Sequence, residues 1–207
     1  MDQRDDGDHR AVAPATPGRI VDASKLDLAA AERATQDLLR ALGADADAPD
    51  LLDTPRRVAA SFAELLTPAE FGATVFPNEG YDELVLVRDI SFQTLCMHHL
   101  LPFHGVAHVG YLPGDSIVGL SKLARVVEFF ARDLQLQERM TVQIADWLEQ
   151  ELSPRGVGVV LSAEHMCMTI RGVRKPGART VTSAVRGLLR VDARTRQEFF
   201  SLVDHAQ

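Results

Sequence analysis

Two short segments of the sequence carry both thiol and imidazole side chains. They are Cys96-Met97-His98-His99 and His165-Met166-Cys167, and they contain both cysteines of the chain. A cysteine and a histidine three residues apart in a turn can bind one cation, and Zn²⁺ accepts both ligand types. We therefore expect Cys96, His99 and Cys167 to form a metal site. Two ordinary buried cysteines beside core histidines are the alternative that the residues leave open.

A metal held in this way would be catalytic. Three protein ligands leave a fourth position open for water, whereas structural zinc sites usually have four protein ligands. Two thiolates also reduce the effective charge of the ion, so neighbouring bases would have to help activate the water. His98 and His165 are the candidates for that task. A metal with two free histidines predicts hydrolytic chemistry.

The segment Gly119-Leu120-Ser121-Lys122-Leu123-Ala124-Arg125 could bind an anion. Ser121 is predicted to cap a helix, whose free N–H groups and dipole attract negative charge. Lys122 and Arg125 add positive charge to the same turn, and Arg171 adds another close to the second cysteine. A polyphosphate could thus extend from the metal towards these bases. The alternative is a capped surface helix with solvated bases.

The pair Gln137-Glu138 could recognise a purine base. A carboxylate offers two acceptors, which match the N1–H and N2–H₂ donors on the Watson–Crick edge of guanine. The alternative is a glutamate in the first turn of a helix, where the helix dipole favours a negative charge. The residue types alone do not separate these two interpretations.

Composition and charge limit the class of protein. The 207 residues are 46% hydrophobic and 25% charged, which excludes a disordered or fibrous chain and favours one domain with an extension. The net charge is −7, yet residues 165–196 contain eight basic residues and one acidic residue. An acidic protein with one basic segment is not typical of a nucleic-acid binder and favours a local anion site.

The sequence shows neither the pattern of a signal peptide nor that of a membrane span. No apolar run approaches the roughly 18 residues that a membrane span needs, and the acidic start at residues 1–6 is unlike a signal peptide. The two cysteines lie 71 positions apart and do not indicate a disulfide scaffold. We expect a cytoplasmic protein with reduced thiols and no membrane partner.

Hydrophobic periodicity predicts the elements that position these residues. Helices are predicted at residues 28–42, at 54–66, from Ser121 onward, at 138–152 and at 195–204. Thr54 is the expected cap of the second helix, with Pro55 at its first position. Strands are predicted at residues 83–95, 106–112, 156–163 and 180–189. The order ααββααββα is typical of an α+β fold on an antiparallel sheet. Because His165 and Cys167 follow a strand two positions apart, strand alternation would place them on the same face.

The chain is predicted to have three parts. Residues 1–20 form a disordered acidic tail, residues 21–80 an N-terminal helical region, and residues 81–207 the catalytic domain.

Four segments together resemble the GTP cyclohydrolase I family, zinc enzymes that convert GTP to 7,8-dihydroneopterin triphosphate and formate. They are residues 96–103, 119–125, 135–139 and 164–172, and the resemblance covers about residues 25–205. It implies the tunnelling fold, an antiparallel sheet with helices on one face. It also implies a toroidal homodecamer of two pentamers, with each active site at subunit junctions.

The resemblance implies a role for each matching residue. Cys96, His99 and Cys167 match the zinc ligands, and His98 and His165 match the histidines that transfer protons. Glu138 matches the carboxylate that binds guanine, with Gln137 beside it, and Ser121 matches a catalytic residue near the ribose. The triphosphate-binding residues are matched by Lys122, Arg125 and Arg171, with Leu120 as a further substrate contact, and Arg57 matches an arginine supplied by a neighbouring subunit.

One position departs from the family pattern. The family usually has Cys-Glu-His-His, and this chain has Met97 in place of the acid. A carboxylate beside the metal ligands would orient a histidine or raise ligand basicity, and methionine does neither. We expect activity to survive with altered metal affinity.

The expected function is therefore zinc-dependent hydrolysis and recyclisation of GTP at the start of tetrahydrofolate or pterin biosynthesis. The same step feeding a deazaguanine pathway is one alternative, and a nucleotide-binding paralogue weakened by Met97 is another. A same-fold enzyme with different pterin or deazapurine chemistry is disfavoured by the full ligand set. A structural zinc protein that contacts nucleic acid through its basic segment is disfavoured by the acidic net charge.

Overall fold

The structure, a computed structural model, describes residues 18–204. Its helices are α1 (Leu28–Ala41), α2 (Thr54–Leu66), α3 (Leu120–Ala131), α4 (Gln137–Leu152), α5 (Met166–Thr169), α6 (Leu188–Val191) and α7 (Ala193–Asp204). Its strands are β1 (Val75–Pro77), β2 (Val85–Cys96), β3 (Pro102–Leu112), β4 (Ser116–Val118), β5 (Leu134–Gln135), β6 (Gly156–His165) and β7 (Arg179–Gly187). The α+β class is confirmed, and every predicted helix and strand is present.

The predicted tail lies outside the described residues for positions 1–17. Gly18, Arg19 and Ile20, which the sequence analysis included in that tail, contact the folded chain. The division at residue 80 between a helical region and a catalytic domain stays a prediction, although α1 and α2 do fall before it.

The two N-terminal helices pack against each other, and their starts differ in how they are capped. The Asp27 side chain accepts a hydrogen bond from the Ala30 amide (2.9 Å) at the start of α1. The cap position of α2 is Asp53 and not Thr54, because Thr54 already has helical geometry, and the Asp53 side chain makes no capping bond. Pro55 then occupies the first turn, where its missing N–H costs nothing.

The main sheet has five strands in the order β5-β2-β3-β6-β7. Pairing is antiparallel from β2 to β7, as predicted, whereas β5 pairs in parallel with the end of β2, so the sheet is mixed. The strands β1 and β4 form a separate antiparallel pair. The sequence analysis missed β1, β4 and β5 because two or three residues are too few to show a period.

One face of the sheet is covered by α3 and α4. Their buried side chains and those of the sheet form one hydrophobic core, which includes Leu123, Val127, Ile144, Leu148 and Val159. Among the described residues, no helix is both long enough and apolar enough to cross a lipid bilayer.

The opposite face is covered in part by α6 and α7. Leu189 and Phe199 are fully buried with Val160 in a second cluster. Neighbouring residues of a strand point to opposite faces, so Val160 lies opposite the core that contains Val159. Gly158 makes this packing possible, since a Cβ there would lie 2.6 Å from Phe199 Cζ. The expectation that helices lie on one face only is corrected accordingly.

Asp133 joins the start of the described chain to β5. Its side chain is fully buried, and its carboxylate accepts hydrogen bonds from the amides of Ile20 (2.8 Å), Val21 (2.9 Å) and Leu134 (2.8 Å). The Asp133 carbonyl accepts a fourth bond from Thr94 Oγ1 (3.2 Å). A buried carboxylate is tolerable when its oxygens are satisfied in this way. These bonds hold β5 against the end of β2.

Arg19 supports the same junction. Its guanidinium donates to the carbonyls of Leu66 (3.1 Å) and Arg132 (2.8 Å), which are the last residue of α2 and the residue after α3. It also lies over the Phe129 ring, 5.4 Å from the centroid. A cation near the carbonyl ends of two helices is favoured by both helix dipoles.

We predict that Asp133→Asn lowers the free energy of unfolding by about 1–3 kcal/mol, because one acceptor is lost beside three buried donors. Urea denaturation at matched protein concentration measures this change. Asp27→Asn is the matched control, since asparagine caps a helix as well as aspartate does. Equal, small changes in both variants would contradict the assigned role of Asp133.

Candidate metal centre and active site

The two cysteine segments meet at one end of the sheet. Cys96 is the last residue of β2, and the following turn is closed by bonds from Leu100 N to Cys96 O (2.9 Å) and from Cys96 N to Leu101 O (2.9 Å). Cys167 lies in α5, directly after β6. The ligand atoms of Cys96, His99 and Cys167 all lie within 4.8 Å of one another. The structure thus assembles the predicted ligand set.

The route to this cluster differs from the expected one. The strand alternation invoked for His165 and Cys167 does not apply, because β6 ends at His165 and Cys167 is already in a helical turn. Cys167 turns towards the metal cluster, whereas His165 bonds to a residue of α4.

The geometry of the cluster fits a zinc-type ion. Cys96 Sγ lies 3.8 Å from His99 Nδ1. A tetrahedral ion with ordinary Zn–S and Zn–N bond lengths separates such atoms by about 3.6 Å. Burial, followed by the nearby Cys96 thiol, raises the pKa of Cys167 above its ordinary value. A cation between the thiols would remove this penalty, because it stabilises both thiolates.

Arg171 lies beside the cluster. Its Nη1 lies 3.4 Å from His99 Nε2, so a positive charge adjoins the imidazole of the cluster. The loop that carries Arg171 is tied to β6 by Glu164, which accepts from Gly177 N (3.0 Å) and Thr169 Oγ1 (3.2 Å). These bonds lower the pKa of Glu164.

His165 is held in a half-buried position next to the cluster. Its Nε2 lies 2.8 Å from Gln137 Oε1, and its ring stacks on Phe103 at 4.3 Å with 7° between the planes. Burial lowers the pKa of His165, and the charge of Glu138 opposes this shift in part. The neutral imidazole is therefore favoured near neutral pH, ready to accept a proton.

Two other predicted residues also lie at this end of the sheet. Glu138 is exposed in the first turn of α4, close enough to influence His165. His98 is exposed, and its ring centroid is 6.2 Å from that of His99. Gln137, expected to help bind substrate, is instead only 2% exposed.

Of the predicted anion-binding residues, Arg171 lies beside the cluster. The cap position of α3 is Gly119, so Ser121 belongs to the first turn and does not cap the helix as expected. Within residues 18–204, no hydrogen bond, ion pair or ring contact joins the metal cluster to the other members of the set, which are Leu120, Ser121, Lys122, Arg125 and Arg57. Ser121 lies about 15 Å along α3 from Ala131, and Ala131 is the end of the helix that precedes β5, which pairs with Cys96.

Arg57 makes its ion pair away from the metal cluster, at the start of its own helix. It lies in α2, where its guanidinium contacts Asp53 at 3.2 Å in an exposed pair. The sequence analysis missed Phe103, Thr141 and Thr182 as neighbours of the site. Phe103 stood within the first motif, but no spacing along the chain could reveal the two threonines.

Comparison with known proteins decides the relationship. A family model described as GTP cyclohydrolase I matches residues 31–204. The chain belongs to the GTP cyclohydrolase I family. The predicted resemblance is thereby confirmed over most of the sequence.

Several relatives in this family are about half identical to the chain. GTP cyclohydrolase 1 of Streptococcus mutans is 51% identical over 180 residues, covering 84% of this chain and 93% of the relative. The enzyme of that name from Bacillus subtilis is 54% identical over 173 residues, covering 81% and 90%. The one from Mycolicibacterium gilvum is 53% identical over 184 residues, covering 86% and 91%.

We predict that this family member binds divalent zinc and that His99→Asn weakens the binding by about 100-fold or more, since even residues behind the ligands cost 10–100-fold when changed. Zinc content after dialysis against a zinc buffer series measures the affinity. His104→Asn is the matched control, because His104 is exposed on β3 and outside the cluster. Unchanged affinity in His99→Asn would show that the cluster is not the metal site.

Proposed function

We propose that the protein opens the imidazole ring of GTP with water and recloses the product to 7,8-dihydroneopterin triphosphate, releasing formate. The observation that carries this proposal is the assembly of Cys96, His99 and Cys167 beside His165 and Glu138 in a member of this family. Ring opening by water needs an activated nucleophile, a proton carrier and a group that orients the base, and these residues supply all three.

The proposed cofactor is Zn²⁺, held by the two thiolates and the imidazole of the cluster. When bound, it would act as a Lewis acid that makes a water molecule nucleophilic at neutral pH. The proposal places the enzyme in the cytoplasm, where the free thiols of Cys96 and Cys167 stay reduced and able to bind metal.

Glu138 would orient the base. Its carboxylate makes no hydrogen bond within residues 18–204 and is exposed, so both oxygens are available to the N1–H and N2–H₂ donors of guanine. Hydrogen bonds from these guanine donors to the Glu138 carboxylate would fix the position of the substrate's imidazole ring in the site.

His165 would move protons during ring opening. Because Nε2 already bonds to Gln137, Nδ1 is the ring nitrogen that can exchange a proton. As water adds to C8, one of its protons passes to Nδ1 and is returned to N7. The C8–N9 bond then breaks as the proton of the new C8 hydroxyl passes to N9, which leaves a formamide on N7. A second water, assisted by the exposed His98, cleaves the formamide to formate and an amine. The ribose then opens, rearranges and closes onto this amine.

The triphosphate would be bound by Arg171 beside the cluster together with Lys122, Arg125 and Arg57, with Leu120 as a further substrate contact and Ser121 near the ribose. Apart from Arg171, these residues make no hydrogen bond, ion pair or ring contact with the cluster within residues 18–204. Their separation from the metal cluster supports a site shared between subunits. We propose that a neighbouring copy of the chain supplies the missing part.

The sheet edges support such an assembly. Among the described residues, β7 pairs only with β6, and residues 85–93 of β2 pair only with β3. Two different free edges can pair head to tail between copies, which closes into a ring when the rotation fits. We propose the tunnelling fold and a homodecamer of two pentamers. Exposed leucines of the first helix region, Leu28, Leu38 and Leu42, would be covered by that assembly.

A nucleotide-binding paralogue without turnover is the second candidate, and Met97 is the observation that favours it. This residue is half-buried between Cys96 and His98 and offers no acceptor where the family usually has a carboxylate. The pathway that the product enters, folate, another pterin or a deazaguanine compound, depends on enzymes downstream and not on this site.

We predict that zinc-loaded protein incubated with GTP yields both formate and, after oxidation, pterin fluorescence. A strong chelator should abolish both signals, and added zinc should restore them. Formate without pterin would show that the ring opens without reclosing. Neither product, with GTP still bound in a titration, would favour the nucleotide-binding paralogue.

We predict that His165→Ala lowers formate release by about 10²–10⁴-fold, the usual contribution of a proton carrier, while GTP binding is largely intact. A formate assay together with a GTP titration measures the two effects separately. Turnover near the wild-type rate would rule out the proton-carrying role of His165.

A further inference from the structure

The side-chain amide of Gln137 is part of a buried hydrogen-bond network. It is the first residue of α4 and only 2% exposed. Its Nε2 lies 2.9 Å from Thr180 O, 3.1 Å from Thr182 Oγ1 and 3.2 Å from Leu161 O. Backbone carbonyls only accept, so the NH₂ group of the amide must face the two strands and the orientation of the amide is determined.

The opposite atom of this amide determines where the His165 proton lies. Oε1 can only accept, and it is 2.8 Å from His165 Nε2. The bond forms only if Nε2 carries a proton, which leaves Nδ1 unprotonated in the neutral imidazole. Phe103 adds a second restraint, because its fully buried ring stacks on the imidazole and holds its plane.

Two threonines keep the amide in this orientation. Thr141 Oγ1 lies 2.7 Å from the backbone carbonyl oxygen of Gln137 and 2.7 Å from Thr182 Oγ1. If Thr141 donates to that carbonyl, then Thr182 donates to Thr141 and accepts from Gln137 Nε2. The donor and the acceptor of every hydrogen bond in this network are then determined. Rotating the amide by 180° would leave buried groups unpaired, at a cost of about 1–3 kcal/mol each.

From these contacts we infer that Gln137 is a positioning residue that holds His165 as the Nε2–H tautomer and does not contact the purine base. The inference rests on the proposed function for its purpose, since ring opening needs Nδ1 free to accept a proton. A side chain that is 2% exposed and bonded at both ends inside the chain is not accessible to a substrate.

The tautomer can be observed directly. Magic-angle-spinning ¹⁵N NMR of zinc-loaded, histidine-labelled protein at about pH 8, where an ordinary imidazole is neutral, distinguishes protonated from unprotonated ring nitrogens. The chain has seven histidines, and loss of a signal pair in His165→Asn assigns this one. We expect protonated Nε2 and unprotonated Nδ1 in the wild type. The reverse pattern would overturn the inference.

Gln137→Met tests the cause, because methionine keeps the length of the side chain and removes its acceptor. We expect the His165 signals to show a mixture of both tautomers. Gln143→Met is the matched control on the same helix, where the glutamine accepts from Gln135 Nε2 (2.9 Å) and donates to Gly18 O (3.2 Å). The control should keep the wild-type tautomer. An unchanged His165 in Gln137→Met would overturn the inference.

Gln137→Glu separates the acceptor from the rest of the amide. A carboxyl group still accepts from Nε2–H, so the wild-type tautomer should persist even though the protein loses stability beside the two carbonyls. If this variant showed the same mixture as Gln137→Met, the acceptor would not be what sets the tautomer.

Kinetics with GTP distinguish positioning from substrate binding. We expect Gln137→Met to lower kcat by about 10²-fold with KM within about twofold of wild type, as for loss of a correctly placed proton carrier. A raised KM with unchanged kcat and an unchanged tautomer would make Gln137 a substrate ligand. If even the wild type left GTP unconverted, the proposed function would fail, and the NMR result would still decide the role of Gln137.

Discussion

The pairing of β3 with β6 is the constraint on which the site depends. It sets Phe103 opposite His165, and β2 pairs with β3 so that the turn after Cys96 reaches the same end of the sheet. Cys167 follows β6 by two residues and meets this turn. A shift of one residue in this register would turn His165 to the opposite face and separate it from Gln137. The register is fixed in part by Gly158, because a side chain shifted to that position would clash with Phe199, whose Cζ would lie 2.6 Å from a Cβ there.

Two buried polar groups hold the edges of the site in place. Asp133 binds β5 to the start of the described chain on the side of Cys96, and Gln137 joins α4 to the last two strands on the side of His165. The buried polar atoms of both side chains have hydrogen-bond partners. Removing one partner of a buried polar group costs more free energy than the hydrogen bond itself contributes to stability. These two networks hold β5 beside the end of β2 and α4 beside His165.

The residues proposed to bind the triphosphate show the limit of a single chain. Ser121 lies in the first turn of α3, about 15 Å along the helix from Ala131 at its other end, and Arg57 pairs with Asp53 on a helix that packs against α1. Free edges on β2 and β7 offer a way for copies to bring these parts together. A shared site would make turnover depend on assembly as well as on the metal.

Local periodicity and side-chain chemistry were enough to predict the α+β class, the long helices and strands, and Cys96, His99 and Cys167 as candidate metal ligands. The sequence did not reveal β5 or α6, which are too short to show a period, and it predicted α7 without showing which face of the sheet this helix covers, because that packing depends on Gly158 making room for Phe199. That Gln137 faces His165 emerges only from the folded chain, since hydrogen bonds to β6 and β7 across 24 to 45 positions set that orientation.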